Sequence, residues 1–487
     1  MKKIFTLLFA ASALMAGAKT YTLSDLATLV PVNEDGSGVA VVDGAYVVNL
    51  PASLPEGVSG IGYDDDNIIL TKTYFTINGD LVIGEGETLL FGGSTTMEIN
   101  GNLTITDATV GAAEGSEGTA KGFRMYQEGA SATITDSEFN YVGINYGNGT
   151  EEGCLTVTGC TFNNHNSKGG NAVINFTSLS KGNLIENCTF ENPTLSAVAS
   201  GANVACGITI KNNVINKPET SARLYPGINM SATGPYDIII DGNQVHGPAE
   251  VTRSGGIALA CLLGNPPTGT LYVTNNLVEN CSYGITLTGP GNVRMIGNTV
   301  LNNKYISDPD LGGSGLNITC NSANVIAKAY IQGNHIEGNL WGITLIGNVD
   351  VNAGYITGEE KDVEYNQGEN VFINNGNTKY ANGFDPEGEF QRFDLYNNTA
   401  TTVYAQNNYW YVAKDANPRV TVFDVADDSS KGEVIYTPWA GTTYTGIDIV
   451  DIDNNKSGSQ RYNIMGQPVG SDYRGIVIEK GKKVLVY

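Results

Sequence analysis

Three polar insertions in this 487-residue chain give the best clue to side chains that could do chemistry. They span residues 217–226, 247–255 and 304–314. The catalytic candidates in them are Arg223, Arg253, Asp308 and Asp310, and the substrate-binding candidates are Tyr225, Glu250 and Tyr305. Arginine can neutralise a carboxylate or sulfate through two hydrogen bonds, and acidic pairs serve acid–base chemistry or hold Ca²⁺. Ordinary solvated loops contain the same residue types, so composition alone leaves both interpretations open.

A strand–bend–strand unit recurs between these insertions. Two aliphatic residues alternate with polar ones, a bend with Gly or Asn follows, and another aliphatic residue lies two places after an Asn. The asparagines at this place are Asn213, Asn243, Asn276, Asn298 and Asn334. All five share the phase of the inward-facing residues, which a β-sandwich core does not explain. A fixed unit separated by loops of variable length is typical of a solenoid, so we expect these amides to stack in one row.

A second marker lies in each unit and adds at least one more strand per coil. It is a Gly followed by an aliphatic residue, as in Gly227-Ile228 and Gly256-Ile257. The pattern predicts an all-β fold, a right-handed parallel β-helix over residues 66–440, with the hand set by the crossover rule. The three insertions would leave this solenoid at one corner and build a wall there. The regular coils elsewhere are expected to present mainly Asn, Thr and Gly.

Charge and the first residues indicate where the protein works. With 27 basic and 50 acidic residues the formal net charge is −23, which disfavours nucleic acid and anionic lipid as partners. Residues 1–18 have a basic start, an apolar core and the small-residue end of a secretory signal peptide. No later stretch is apolar enough to span a membrane. We therefore expect an exported protein, secreted or at the cell surface.

The cysteines and histidines are interpreted as structural. Seven cysteines are an odd number without a disulfide framework or a metal-binding spacing. Cys160 and Cys188 take the place of the inward Asn in earlier units, so they are expected to be buried free thiols. Three histidines, His165, His246 and His335, adjoin inward positions, and strand alternation predicts that they face outward.

The ends of the chain differ from its middle. Residues 19–65 are expected to form an N-terminal cap region, with a short helix that begins at Ser24 as its N-cap. Residues 441–487 break the repeat, pass through a polar linker and are expected to form a small, basic β module.

Two resemblances extend this picture. Residues 66–440, with their repeated inward Asn, resemble the right-handed parallel β-helix superfamily that includes the pectate lyases. The tail, with Tyr-Asn-Ile-Met-Gly-Gln at 462–467 and Gly-Lys-Lys-Val-Leu-Val at 481–486, resembles the C-terminal sorting domains of exported Bacteroidetes proteins that use type IX secretion. That resemblance implies the export machinery as a partner of the tail. The Asp-His signature of pectate lyases and the ordered motif series of polygalacturonases are absent, so no family activity carries over.

Two classes of function remain at this point. The first is a protein that binds or processes a complex carbohydrate, with a polysaccharide lyase or glycoside hydrolase as the enzyme form. The second is a non-catalytic adhesin or structural surface protein. The sequence indicates no cofactor, although a lyase would need Ca²⁺ or an arginine to neutralise its substrate.

Overall fold

The structure of the protein is a computed structural model. It describes residues 18–148, 150–165, 172–205, 207–217, 225–248, 254–262, 266–304, 313–358, 360–376, 393–411, 417–441, 461–463, 468–469, 475–479 and 482–486. The predicted signal peptide thus lies almost entirely outside the described residues. The described part is nearly all β, in three long sheets and one small sheet.

Sheet A has 14 strands, in this order. They are Thr20–Thr22, Asp80–Ile83, Leu103–Thr106, Ala132–Thr135, Leu155–Thr158, Asn183–Glu186, Ile208–Lys211, Ile238–Asp241, Thr270–Thr274, Gly291–Ile296, Ala327–Gln332, Val349–Asn352, Val403–Tyr404 and Val434–Ile435.

Sheet B also has 14 strands. They are Gly38–Val42, Ala45–Asn49, Thr88–Phe91, Thr109–Ala112, Glu138–Asn140, Thr161–Asn163, Thr189–Glu191, Val214–Asn216, Gln244–His246, Leu277–Glu279, Thr299–Leu301, His335–Glu337, Val371–Ile373 and Tyr409–Trp410.

Sheet C has 15 strands. They are Ile61–Tyr63, Ile68–Leu70, Tyr74–Ile77, Thr96–Ile99, Gly122–Met125, Gly143–Asn148, Ala172–Ser178, Ser196–Ala205, Tyr225–Met230, Ser254–Ala260, Tyr283–Thr288, Ser314–Cys320, Trp341–Gly347, Leu395–Asn398 and Val422–Phe423.

The chain visits sheets A, B and C in turn, once per coil, and each strand pairs in parallel with the same strand of the next coil. Antiparallel pairs occur among the described strands only in the first segment, such as Gly38–Val42 with Ala45–Asn49, and in the small C-terminal sheet. This architecture is the right-handed parallel β-helix that the repeats predict. Inward aliphatic and aromatic side chains fill the interior; the stacked rings of Phe139, Phe162 and Phe190 are an example.

The predicted row of asparagines is confirmed, and it is longer than expected. It comprises Asn213, Asn243, Asn276, Asn298, Asn334, Asn370 and Asn408, all buried. The Oδ1 of each residue after the first accepts the backbone N–H and the side-chain amide of the residue one coil earlier, at 2.8–3.1 Å. Buried amides are therefore satisfied along the row.

Cys160 and Cys188 lie in the same row and are buried free thiols, as predicted. The backbone N–H of Cys188 donates to Asn213 Oδ1 at 2.9 Å. Its thiol lies 3.7 Å from the carbonyl of Val157, and the amide of Asn213 bonds to the equivalent carbonyl of Ile185. A thiol thus takes the place of an amide without leaving the ladder.

A second ladder was not predicted. It runs through the turn between sheets B and C, where Cys281, Asn303, Asn339 and Asn375 stack and hydrogen-bond in the same way. Each of these residues lies five positions after a member of the first ladder. That fixed offset was the signal available in the sequence.

The prediction for His165 was wrong, because this side chain is buried, with 1 % of its surface exposed. The preceding Asn164 has a φ of 52°, in the left-handed region. That conformation interrupts strand alternation, so the residue after it faces inward at the place of the second ladder. His246 and His335 are partly exposed and pair with Glu279 and Glu337.

The first helix, Leu23–Leu29, begins two residues earlier than a Ser24 cap requires. Its N-cap is Thr22, whose hydroxyl accepts the N–H of Asp25, and the Asp25 carboxylate accepts the N–H of Thr22. This reciprocal pair is a capping box, with Asp in the place that Glu or Gln usually takes. Leu23 and Leu26 are buried, and the strand Thr20–Thr22 joins sheet A.

The last coils and the tail complete the described chain. A short 3₁₀ helix spans Pro418–Thr421, and Trp410 is buried with its ring stacked on Phe372 at 4.5 Å. The small sheet contains Pro468–Val469, Arg461–Asn463, Gly475–Glu479 and Lys482–Val486, in that order. Among the described residues, no helix has the length and apolar character needed to cross a membrane.

Candidate functional site

The three predicted insertions leave the solenoid from one corner, between sheets B and C. They connect Val214–Asn216 to Tyr225–Met230, Gln244–His246 to Ser254–Ala260, and Thr299–Leu301 to Ser314–Cys320. One coil with a short connection, residues 280–282, separates the last insertion from the other two. We call this region the insertion corner.

Of the seven predicted site residues, Tyr225 alone belongs to the described part of the chain. Arg223, Glu250, Arg253, Tyr305, Asp308 and Asp310 lie outside the described residues. Tyr225 is described; it opens its strand in sheet C, pairs with Ser254 and is half-buried.

A lysine that was not among the predicted site residues lies at the base of the insertion corner. Lys217 is 6 % exposed, and its Nζ donates to the carbonyl of Leu195 at 2.5 Å. Burial lowers the pKa of this lysine to about 8. A lysine with such a pKa exists partly as the neutral amine near neutral pH, which is the form that accepts a proton.

Within the described residues, a group of polar and aromatic side chains lies elsewhere, on the outward face of sheet A. Five outward positions are in register on successive coils. They are Tyr272, Arg294, Tyr330, Asn352 and Tyr404, and we call them the Arg294 row. The same register on earlier coils holds Thr104, Thr133 and Thr156, so the character of the face changes along the rod.

Arg294 is the centre of this row. Its guanidinium carbon lies 4.4 Å from the ring centroid of Tyr330, a distance at which a cation is attracted to the ring face. Its Nη2 contacts both carboxylate oxygens of Glu364, at 2.7 and 2.8 Å. The Tyr330 hydroxyl donates to Gln332 at 2.6 Å, and burial raises the pKa of this tyrosine. These contacts hold Arg294 and Tyr330 against each other within the row.

A segment formed by residues 353–370 borders the row. Its Tyr355 and Asn366 form a bridge, and the Asn352 amide donates to the carbonyl of Glu364 at 2.6 Å. The Tyr404 hydroxyl donates to the Glu360 carboxylate, and this hydrogen bond raises the pKa of Tyr404 to about 12. The segment therefore lies against sheet A beside the row and is hydrogen-bonded to it.

Two residues earlier on the same strands, a second line of outward side chains includes one basic and one acidic residue. It contains Asn292, Lys328 and Asp350, and Lys328 Nζ lies 4.0 Å from Asp350 Oδ2, with both side chains 60 % exposed. The repeats predicted mainly Asn, Thr and Gly on the regular coils, so this patch was not predicted. In the sequence, such a residue can be recognised as a polar or aromatic residue between two inward apolar residues, as in Val293-Arg294-Met295.

A cavity of about 460 Å³ lies at another corner, between sheets A and B. Asp107, Asp136 and Glu138 contribute to its lining. Across the part of the chain that the structure describes, no three His, Cys, Asp or Glu residues converge in a way that could hold a metal ion.

Comparisons with known proteins bear on the fold. Residues 121–347 match the family described as "Periplasmic copper-binding protein (NosD)", which is slightly less than half of the chain. No curated protein matches the chain. The crystal structure of the periplasmic alginate epimerase AlgG is 12 % identical, covers 87 % of this chain and 81 % of its own, and has a TM-score of 0.37.

A single-substitution mutant of AlgG gives the same identity and coverage, with a TM-score of 0.38. Scores at this level carry no conclusion about activity or substrate. The three stacked sheets and the family match over the central coils support one statement, that this chain is a parallel β-helix protein.

Proposed function

We propose that this protein is exported and binds a complex carbohydrate along the Arg294 row. The observation that carries the proposal is the register of Tyr272, Arg294 and Tyr330 on three neighbouring coils. Coils repeat at about 4.8 Å, so the row offers an aromatic ring, a planar cation and another ring along one line. Tyrosine has an apolar ring and a polar hydroxyl, and arginine donates two parallel hydrogen bonds, which suits extended polyhydroxylated chains.

Charge limits which glycans suit the row. Arg294 is already paired with Glu364, and the chain has a formal net charge of −23. A neutral glycan can stack on the rings without disturbing that pair. An acidic glycan has to displace Glu364 from the guanidinium or arrive with a cation such as Ca²⁺. Binding in the presence and absence of Ca²⁺ separates these two routes.

Export is part of the proposal. The leader-like residues 1–18 and the periplasmic location in the name of the matched family both favour it. We propose in addition that residues 441–487 form a separate module that addresses the protein to its export machinery. Secretion to the medium or retention at the cell surface are both compatible with such a module.

An enzyme is the second candidate, and Lys217 favours it. A lyase needs a base and a group that neutralises the substrate acid. The buried Lys217 lies at the base of the insertion corner, and Arg223, Arg253, Asp308 and Asp310 belong to the insertions there. In this form of the proposal Lys217 accepts a proton, the arginines face the substrate acid, and Tyr225, Glu250 and Tyr305 contact the glycan. A non-catalytic adhesin would use the Arg294 row and need none of these residues.

One panel experiment tests both candidates. Purified mature protein is titrated calorimetrically with neutral and acidic glycans, with and without Ca²⁺, and each mixture is assayed for chain cleavage. We expect Tyr272→Ala and Tyr330→Ala to weaken binding about fivefold each, the scale of one aromatic contact. Thr156→Ala, at the same register on an earlier coil, is the matched control and should bind like the unaltered protein.

The outcomes of this experiment distinguish the binding row, the enzyme and the adhesin. If no glycan binds, or if the tyrosine variants bind like Thr156→Ala, the Arg294 row is not the site. Cleavage that Lys217→Met and Arg253→Ala both abolish establishes the enzyme at the insertion corner. Binding without cleavage under every condition of the panel supports the adhesin.

A further inference from the structure

A second cluster of aromatic rings around an arginine lies on sheet C, in the first coils of the rod. Tyr126 follows the strand Gly122–Met125 and is 44 % exposed. Its ring occupies the space that a side chain at position 147, on the next coil, would take. A Cβ atom added to Gly147 would lie 2.2 and 2.3 Å from two carbons of the ring. The ring therefore rests against the backbone of sheet C, with its remaining surface open to solvent.

Arg124 packs over the ring of Tyr126. Its guanidinium carbon lies 4.6 Å from the centroid of Tyr126 and 5.0 Å from that of Tyr74. Its Nη1 donates to the Tyr74 hydroxyl at 2.6 Å, and its Nε lies 3.6 Å from a carboxylate oxygen of Glu98. The cation is thus placed between two rings and beside one acid.

The side chains of this cluster hold one another in place. Glu98 is itself held by the hydroxyl of Thr76 at 3.3 Å. A site whose side chains are fixed before binding does not have to order them on binding, so more of the contact energy appears as affinity. Tyr126 is not part of the packed interior.

We propose that Tyr74, Arg124 and Tyr126, the Tyr126 site, form a second sugar-binding site. The exposed ring of Tyr126 would stack on the apolar face of a neutral sugar ring, and the edge of the Arg124 guanidinium would donate to its hydroxyl groups. Glu98 beside the arginine disfavours an acidic sugar because two carboxylates would compete for one cation. The ligand class is therefore a neutral hexose, at a chain end or on a branch.

The Tyr126 site and the Arg294 row lie far apart along the rod. Arg124 lies on sheet C and Arg294 on sheet A, and the sheet A strands of their coils are separated by several coils. With about 4.8 Å per coil, the sites are roughly 30 Å apart along the rod. One sugar unit cannot reach both, so the protein would hold two glycan segments at once, and bivalency raises avidity without any new contact.

This inference depends on the proposed function only in its ligand class, and one experiment separates the two. A neutral oligosaccharide that binds in the glycan panel is titrated calorimetrically, and beads coated with the parent glycan are scored for agglutination. Tyr126→Ala removes the ring, and Gly147→Ala displaces it while keeping it in the sequence. Gly118→Ala is the matched control, because a Cβ there meets nothing within 4 Å. Thermal melting of each variant checks the fold.

We expect the unaltered protein to bind two sugar equivalents and to agglutinate beads. Tyr126→Ala and Gly147→Ala should each lose one equivalent and the agglutination, whereas Tyr126→Phe and Gly118→Ala should retain both. Unchanged stoichiometry and agglutination in Tyr126→Ala would overturn the inference. If Tyr272→Ala has no effect but Tyr126→Ala abolishes binding, the Tyr126 site stands and the Arg294 row fails; the reverse result leaves only the row.

Discussion

Replacing Asn276 by alanine tests whether the inward amides hold the coils together. The side chain of Asn276 makes four hydrogen bonds in the ladder. Its Oδ1 accepts the backbone N–H and the Nδ2 of Asn243, at 2.9 and 3.0 Å. Its Nδ2 donates to the carbonyl of Ile240 and to Asn298 Oδ1, at 2.9 and 3.0 Å. Alanine removes all four hydrogen bonds and leaves the space of the amide group empty.

The cost follows from what is left unpaired. The backbone N–H of Asn243 stays buried without its acceptor, which costs about 1–3 kcal/mol. The other lost hydrogen bonds contribute about 1 kcal/mol each at most. Because Asn243 Nδ2 still donates to Ile210 and Asp241, part of the loss is recovered. We expect a loss of about 4 kcal/mol in the free energy of unfolding.

Urea unfolding followed by circular dichroism measures this loss, and hydrogen exchange of the Asn243 amide locates it. Asn292→Ala, on the exposed face of sheet A, is the control and should change stability by less than about 0.5 kcal/mol. Asn276→Cys should be milder than alanine, since Cys160 and Cys188 occupy the same row as thiols. A loss below about 1 kcal/mol for Asn276→Ala, without faster exchange at Asn243, would refute the ladder argument.

Three further predictions concern pH, the Arg294 row and the tail. Burial lowers the pKa of His165 from 6.5 to about 4, so between these pH values the unfolded chain binds a proton that the folded chain does not. The free energy of unfolding should therefore rise with pH by about 3 kcal/mol in total. Urea unfolding from pH 4 to 7 should show this slope, and His165→Asn should flatten it. Glu364→Gln frees Arg294, so binding of acidic glycans should tighten severalfold in calorimetry while neutral glycans are unaffected. Deleting residues 441–487 should leave the melting temperature nearly unchanged and alter the location of the protein on cell fractionation, whereas a large loss of stability would make the tail an integral cap.

The fold could be predicted because the interior of a solenoid constrains every coil in the same way. Asn213, Asn243 and Asn276 occur at one phase because a buried amide is tolerated only where the next coil supplies its partner. Cys160 could be placed for the same reason, as a small group at that phase. The prediction failed where a turn broke the phase, since Asn164 in the left-handed region turned His165 inward.

The helix start was missed for a local reason. Ser24 is a good N-cap residue by type, but Thr22 can form the reciprocal pair with Asp25 and leaves Leu23 free to enter the core. Here the geometry of two side chains decided between two adequate caps. A search for a Thr or Ser three residues before an acidic residue would have found Thr22.

The residues of the proposed site were harder to predict, because outward positions carry little information about one another in sequence. Tyr272, Arg294 and Tyr330 are separated by 22 and 36 residues, and they become neighbours only after the register of sheet A is known. The interior fixes that register, since the ladder residue Asn276 pairs with Asn298 and Asn298 with Asn334. Shifting one coil by a single residue would turn Arg294 into the core and break the amide ladder together. The buried amides that carry no chemistry are therefore what aligns the side chains that could, and a variant that loosens the ladder at Asn298 should weaken glycan binding at the Arg294 row even though it touches no ligand.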